Sequence, residues 1–202
     1  NKTGWLQTGS EKKDAWQAFK QERLDHPVLR DEYWGEEVLT QPAAIMIASR
    51  CARQNGVVSF YDAGDVQANG FQVVEDDTPG QTFNDTGASY MGFAACALLA
   101  TGVADKPFQA IAFSGDGSFT MNPQILIDGA EHGARGCLLL LDNGRMSAIS
   151  GLQNDQYGQE FATWNTVHVD YLAWARSVPG VLALEGGRTP DALQPALEQT
   201  GA

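Results

Sequence analysis

"FQAIAFSGDGSFTMNPQILIDGAEHGARGCLLLLDN", residues 108–143, decides how this chain is read. It holds two short apolar runs that end abruptly, the first at Ser114 before Gly115-Asp116-Gly117 and the second at Asp142-Asn143. Runs of this length bounded by turn residues read as buried strands, and the segment between them, with Pro123 near its start, reads as a helix. A strand–helix–strand unit of that length lays its strands parallel. If the two are adjacent their ends lie about 5 Å apart, and if one strand intervenes their loops can still converge above the sheet. Asp116 and Asn143 are therefore expected at one carboxyl edge.

The same alternation extends outward. "TQPAAIMIASRCARQNG" (40–56) reads as a helix with Pro42 in its first turn and Gly56 past its end. "VVSFYDAGD" (57–65) reads as a strand delivering Asp62, Gly64 and Asp65 at its carboxyl end, and "ASYMGFAACALLATG" (88–102) as a helix opened by the loop "NDTGAS" (84–89). After Asn143 come a loop and short helix over 144–158, a helix over 169–178, a strand "GVLAL" over 180–184 and a closing helix over 190–200. This order predicts an α/β fold: a doubly wound, mostly parallel sheet with helices on both faces, binding its ligand at the strands' carboxyl ends. Residues 1–38 carry charge, Trp5, Trp16, Trp34 and one helical pattern over 11–24 in which Trp16, Phe19 and Leu24 share a face. They read as an arm or linker, and the domain proper as 39–202.

Composition narrows the function classes. The chain has 202 residues, 43% of them hydrophobic, enough for one core and a small extension. Thirteen basic against 25 acidic residues give a formal charge of -12 with no Lys/Arg stripe, which argues against nucleic acid as a partner. Cys51, Cys96 and Cys137 are odd in number, widely spaced and set in apolar patterns, so they read as reduced core thiols. No run of about 18 apolar residues is present and the opening segment is polar, so the expectation is a soluble, cytoplasmic protein that does not enter a membrane.

The residues at the predicted edge are oxygen donors. A carboxylate and an amide oxygen suit a hard cation such as Mg²⁺, which takes one or two carboxylates and completes its shell with phosphate oxygens and water. Gly115 and Gly117 allow close backbone approach, and the N–H groups of Gly117 and Ser118 can face an anion. The pattern asks for a phosphorylated ligand carrying Mg²⁺.

"GDGSFTMN" followed by "LLLLDNGRM", with Asn143 27 positions after Asp116, resembles the thiamine diphosphate motif, a GDG run closed by an Asn-Asn pair. Here Asp142 replaces the first Asn and the metal-binding second one is kept. In the acetolactate synthase group the resemblance implies a bulky apolar residue 25 positions before the motif Asp, and Met91 occupies it. "DAGDVQ" (62–67) matches the loop that touches the diphosphate. The similarity covers roughly 39–200 and is to the diphosphate-binding domain of the 2-oxo acid decarboxylase and acetolactate synthase type. "SAISGLQ" (147–153) is also similar to the inositol-catabolism hydrolase that opens a cyclic dione.

What the resemblance implies is specific. Mg²⁺ would be held by the side chains of Asp116 and Asn143 and by the backbone carbonyl of Arg145. Gly64, Asp65, Gly117 and Ser118 would line the diphosphate, with Val66, Gly115 and Met146 also at the cofactor. Met91 would wedge under the cofactor and keep it bent, and the Ser89 carbonyl would take its amino group. The segment Gln153–Trp164 falls where the family places a mobile cover. The activating Glu belongs to a pyrimidine-binding domain that nothing here resembles, so a partner chain or the rest of a longer one must supply it, most simply as two of each.

His132, at a predicted helix carboxyl end, suits the helix dipole rather than catalysis, and His26 and His168 have no ligand-type neighbours in sequence. The expected function is the diphosphate-binding subunit of a split enzyme that cleaves or forms a C–C bond beside the carbonyl of a 2-oxo acid or dicarbonyl. Hydrolysis of a cyclic dione is the alternative within the class. A flavodoxin-like, non-catalytic Mg²⁺/phosphate module is the alternative outside it.

Overall fold

The computed structural model describes residues 2–32 and 34–201; Asn1 and Tyr33 of the expected arm, and Ala202, lie outside the described residues. Helix α1 (Lys2–Asp25) leads into an antiparallel hairpin, β1 (Val28–Asp31) and β2 (Glu36–Leu39). Then follow α2 (Gln41–Gln54), β3 (Val58–Tyr61), α3 (Asp65–Val73), β4 (Thr82–Asn84), α4 (Phe93–Ala97) and α5 (Ala100–Val103). The second half comprises β5 (Ala110–Gly115), α6 (Asp116–Phe119), α7 (Ile125–Glu131), β6 (Gly136–Leu141), α8 (Ser147–Tyr157), α9 (Tyr171–Arg176) and α10 (Pro190–Thr200).

The main sheet is four-stranded and parallel, in the order β4-β3-β5-β6. From β3 the chain winds to β4 on one side and then returns to β5 on the other, so the topological switch lies between β3 and β5. That is where an open α/β sheet leaves a crevice.

Strand periodicity distributes the core. Ile111 and Phe113 of β5 join Ile45, Met46, Cys51, Tyr61, Leu193 and Leu197 on one face. Ala110 and Ala112 join Phe60, Ala94 and Leu98 on the other, and Phe119 and Ile125 extend that layer. Helices therefore cover both faces, as the sequence predicts. Tyr61 stacks on Phe113 at 4.6 Å, and its hydroxyl lies 2.7 Å from Ser49 Oγ. Burial pushes its pKa up to about 12, so it stays a neutral hydrogen-bonding phenol. All three cysteines are thiols, and burial pushes Cys137 up to about 11, which makes it unreactive.

Four expectations need correction. The strand expected over 180–184 does not form: residues 181–187 carry no regular element, and Leu182 is 70% exposed. A strand exists through its ladder partners, and residues 181–185 pair with none of the described strands. β6 is consequently the sheet edge and is half-buried rather than fully buried. The helix expected over 88–102 starts only at Phe93, because Gly92 sits at φ +92, and it is interrupted at Leu98-Leu99. Lastly, β3 stops at Tyr61, and Asp65 opens α3 instead of ending a strand.

The N-terminal segment is fastened through the second half of α1 and through the hairpin. Lys20, which α1 buries, pairs with Glu75, and Gln17 donates to the same carboxylate at 2.8 Å. Trp16 stacks on Phe19 at 4.8 Å and Leu24 packs against the core, as their shared face predicts. Arg188 pairs with Glu36 of the hairpin and lies 4.8 Å over the Trp34 ring. Among the described residues no helix is long and apolar enough to cross a membrane.

Candidate active site

Register builds the site. Gly115 of β5 lies opposite Leu141 of β6, so one step further Asp116 leaves its strand beside Asp142 and Gly117 beside Asn143. Asp116 opens α6 and is only 2% exposed. Its carboxylate accepts backbone N–H bonds from Gly117 and Asn143, and Asn165 Nδ2 donates to its Oδ2 at 2.9 Å. Burial, and then the neighbouring Asp142, hold Asp116 above the ordinary carboxylate range in spite of those donors. Burial likewise raises Asp142, partly offset by the Gly144 N–H and by His168. Two carboxylates crowded into a dry edge favour a cation between them.

The loop beyond β6 is compact. Gly144 N–H donates to Asp142 Oδ1 at 3.1 Å, Arg145 N–H to Asn143 Oδ1 at 3.1 Å, and Asn143 Nδ2 to Ser147 Oγ at 2.6 Å. Arg145 forms an antiparallel bridge with Trp164 through the bonds Asn165 N–H to Gly144 O (2.8 Å) and Met146 N–H to Thr163 O (2.9 Å). The bridge itself does not use the Arg145 carbonyl. Its guanidinium packs 4.8 Å over the Trp164 ring.

On the other side of the switch, Gly64 takes φ +79 ahead of α3, with open space where a Cβ would stand. Val66 is buried, and its Cγ2 lies 3.9 Å from where a Cβ on Gly115 would be. An aspartate serves an anion only through its N–H, so Asp65 can contact a diphosphate by its backbone alone. Residues 85–92 form a strap across the edge. Met91 Cε comes within 3.4 Å of the Cβ position of Gly117, and a Cβ on Gly92 would stand 3.3 Å from the Ser118 carbonyl. Ser89, at φ +56, bonds Gln67 Oε1 at 3.3 Å.

The structure thus brings Val66, Met91, Gly115, Asp116, Gly117, Ser118 and Asn143 together around the switch. Gly64 and Ser89 stand exposed at its rim, as does Met146 at 40% exposure. Asp65 and Arg145 meet across an open pocket of about 470 Å³, which Ser147, Ser150, Asn154 and Glu160 also line. A smaller one of about 230 Å³ lies behind the loop that follows β6, between Trp34, Asp142, Asn165, His168 and Tyr171. Among the described residues no three His, Cys, Asp or Glu side chains cluster as a metal site. One buried aspartate with neutral amide and carbonyl oxygens is nevertheless a donor set that Mg²⁺ accepts.

Three residues given no role by the sequence reading belong here. Asp62 is fully buried at the end of β3. Asn165 reaches Asp116 only because the chain returns through the Arg145–Trp164 bridge, which leaves no sequence signal. Glu160 fastens that return by accepting from Asn154 Nδ2 (2.6 Å), Trp164 Nε1 (2.6 Å) and Thr163 Oγ1 (3.1 Å). His168, set aside in the sequence, faces Asp142, whereas His26 and His132 are exposed and away from the site.

Fold and edge together define a doubly wound domain with a candidate cation and anion site at its switch point. The family "Thiamine pyrophosphate enzyme, C-terminal TPP binding domain" matches residues 62–201, and the chain belongs to it. Among solved structures, benzoylformate decarboxylase from Polynucleobacter necessarius is similar at TM-score 0.69 and 14% identity, over 80% of this chain and 30% of that one. That likeness shows the fold. The chain thus spans under a third of that structure. No curated protein matches it in sequence.

Proposed function

We propose that this chain is the diphosphate-binding part of a split thiamine diphosphate-dependent enzyme that cleaves or forms a C–C bond beside a carbonyl, with a 2-oxo acid as substrate. The observation that carries the reading is Asp116, buried next to a second carboxylate at the switch point with Met91 seated over Gly117. A diphosphate alone would be repelled by Asp65, Asp116 and Asp142. Mg²⁺ would offset part of that repulsion.

In this reading Asp116 and Asn143 hold Mg²⁺ through their side chains and Arg145 through its carbonyl. The backbone at Gly64, Asp65, Gly115, Gly117 and Ser118 receives the diphosphate, and Val66 and Met146 pack beside the cofactor. Met91 supports the bend of the cofactor, and the Ser89 carbonyl orients its amino group. Bound, thiamine diphosphate supplies a thiazolium carbon able to add to a carbonyl. The activating carboxylic acid comes from a pyrimidine-binding domain on a partner chain or on the rest of a longer one. Residues 39–202 form the binding domain and 1–38 its N-terminal arm, and the reaction takes place in the cytoplasm.

A second reading, hydrolysis of a hydroxylated cyclic dione, is favoured by the lining of the larger pocket, where Ser147, Ser150, Asn154 and Glu160 outnumber the one large apolar side chain, Leu152. Assays with each substrate class in the assembled enzyme separate the two.

Calorimetry with thiamine diphosphate, with and without Mg²⁺, tests the site. The wild-type chain should bind only with Mg²⁺. Asp116→Ala removes the one buried carboxylate of the proposed ligand set and should weaken binding by about 100-fold or more, since even an outer-shell partner is typically worth 10- to 100-fold. Equal affinities with and without Mg²⁺, or in wild type and variant, would sink the assignment.

A further inference from the structure

Asp62 has no place in the ligand sets above, yet it is 0% exposed and its carboxylate accepts three hydrogen bonds. Its Oδ1 accepts the Gly92 N–H at 2.7 Å and the Ala63 N–H at 3.0 Å, and its Oδ2 accepts the Ser114 hydroxyl at 2.7 Å. These three donors belong to the strap, to the end of β3 and to β5 two residues before Asp116. One carboxylate therefore joins both strands of the topological switch to the segment that crosses it.

The strap needs such an anchor. Residues 86–90 are exposed, and the strap turns into α4 only through the left-handed Gly92. No side chain caps that helix, so the Gly92 N–H would be orphaned without Asp62. Met91 is the residue immediately before it, and its Cε lies against Gly117. We propose that Asp62 is the positioning residue that sets the height of Met91 over the Gly115-Asp116-Gly117 turn, and so determines how well the site accepts the organic part of the cofactor as opposed to its diphosphate. This rests on the thiamine diphosphate reading. Asp62 does not touch the ligand; it acts through the Gly92 N–H.

Substitutions at Asp62 separate the bond from the charge. In Asp62→Asn the amide oxygen keeps the Gly92 and Ala63 N–H groups, and the amide nitrogen donates to Ser114 Oγ, whose proton can turn to the Gly115 carbonyl already 3.3 Å away. Asp62→Ala leaves the Gly92 and Ala63 N–H groups without their acceptor, and Ser114 only its bond to the Gly115 carbonyl. Gly92→Ala perturbs the strap independently, because a Cβ there would stand 2.6 Å from Asn122 Nδ2 at φ +92.

The test compares Mg²⁺-dependent binding of thiamine diphosphate with that of inorganic diphosphate on the 202-residue chain, alongside hydrogen exchange at Gly92 in the ligand-free protein. Wild type should prefer thiamine diphosphate. Asp62→Ala should keep inorganic diphosphate affinity within about twofold, lose that preference by roughly tenfold or more, and exchange Gly92 at least about tenfold faster, the scale of a lost charged hydrogen bond. Asp62→Asn should restore all three readouts, and Gly92→Ala should copy the preference loss of Asp62→Ala, which keeps the test decisive if the latter fails to fold. Retention of the preference in both Asp62→Ala and Gly92→Ala overturns the proposal, as does an equal loss of both ligands in Asp62→Asn. Failure of the wild type to bind thiamine diphosphate with Mg²⁺ instead overturns the functional reading, and Gly92 exchange then still reports whether Asp62 holds the strap.

Discussion

At the scale of single residues, the chemistry turns on Asp116 and Asp142 standing one step beyond a parallel ladder. Both are held above the ordinary carboxylate range by burial, and Asp142 pushes Asp116 further up. A carboxyl group whose pKa rises on folding favours the native state in its protonated form. Its contribution is present below the unfolded value, about 4, and is lost as pH rises through the folded one. The ligand-free chain should therefore lose stability from these two groups over that window, while stabilisation by Mg²⁺, which needs the ionised form, should grow over the same window. Asp142→Asn removes the neighbouring charge, so Asp116 should ionise earlier and the onset of Mg²⁺ stabilisation should move to lower pH. Thermal unfolding with and without Mg²⁺ across pH 4 to 8 measures this onset; an unmoved onset would separate the two carboxylates. Asp116, Asn143 and Met91 were legible in the sequence because their spacing is carried by a motif. Asn165 was not, since its approach to Asp116 depends on a loop that returns 49 residues later.

Elements were legible in proportion to how fully they are buried. β5, with five successive buried residues, and α2, with Thr40 as cap and Pro at its start, stand out from the chain. β4, at three residues, and the charged hairpin strands "VLRD" and "EEVL" carry no periodicity from which to read a strand. The segment 180–184 shows the opposite failure, β-type composition without a ladder, because pairing rather than propensity makes a strand. α3 was hidden by its mixed sequence "DVQANGFQV". β6 is the element on which the site depends most, since Asp142 and Asn143 follow directly from it. Its first residue, Gly136, sits at φ +147, and a Cβ there would come within 1.9 Å of the Ala110 carbonyl oxygen. Gly136→Ala should cost about 3 kcal/mol or more through strain and steric conflict. A urea midpoint close to wild type would show that the β5–β6 register can shift, and the alignment of Asp116 with Asp142 would then not be fixed by the ladder.

For the molecule as a whole, the apolar side chains on the segments leaving the sheet's carboxyl edge ask for a cover. Tyr90 is 69% exposed in the strap, Met121 56% after α6, Ile149 40% and Leu152 66% on α8, and Phe161 55% on the return segment. Exposed apolar groups concentrated beside a ligand site mark a contact surface more often than scattered ones do. In the proposed function a cofactor held between this domain and a pyrimidine-binding one would bury apolar surface from both, and the activating carboxylic acid would come from the latter. General acid–base help of that kind is typically worth about 10²- to 10⁴-fold. The isolated chain should therefore bind thiamine diphosphate and Mg²⁺ yet turn over a 2-oxo acid at least about 100-fold more slowly than the assembled enzyme. Supplying a pyrimidine-binding domain in trans should restore turnover and produce a closed assembly with two of each chain, since a two-fold axis pairs both cofactor sites without leaving an open end. Met121→Glu, just after α6 and outside the lining of both pockets, should weaken that assembly and leave cofactor binding to the isolated chain unchanged. Size-exclusion chromatography with light scattering reads the stoichiometry, and a substrate-consumption assay with and without the added domain reads the activity. A monomeric preparation of this chain alone that turns over substrate at an ordinary enzyme rate would overturn the split-enzyme reading.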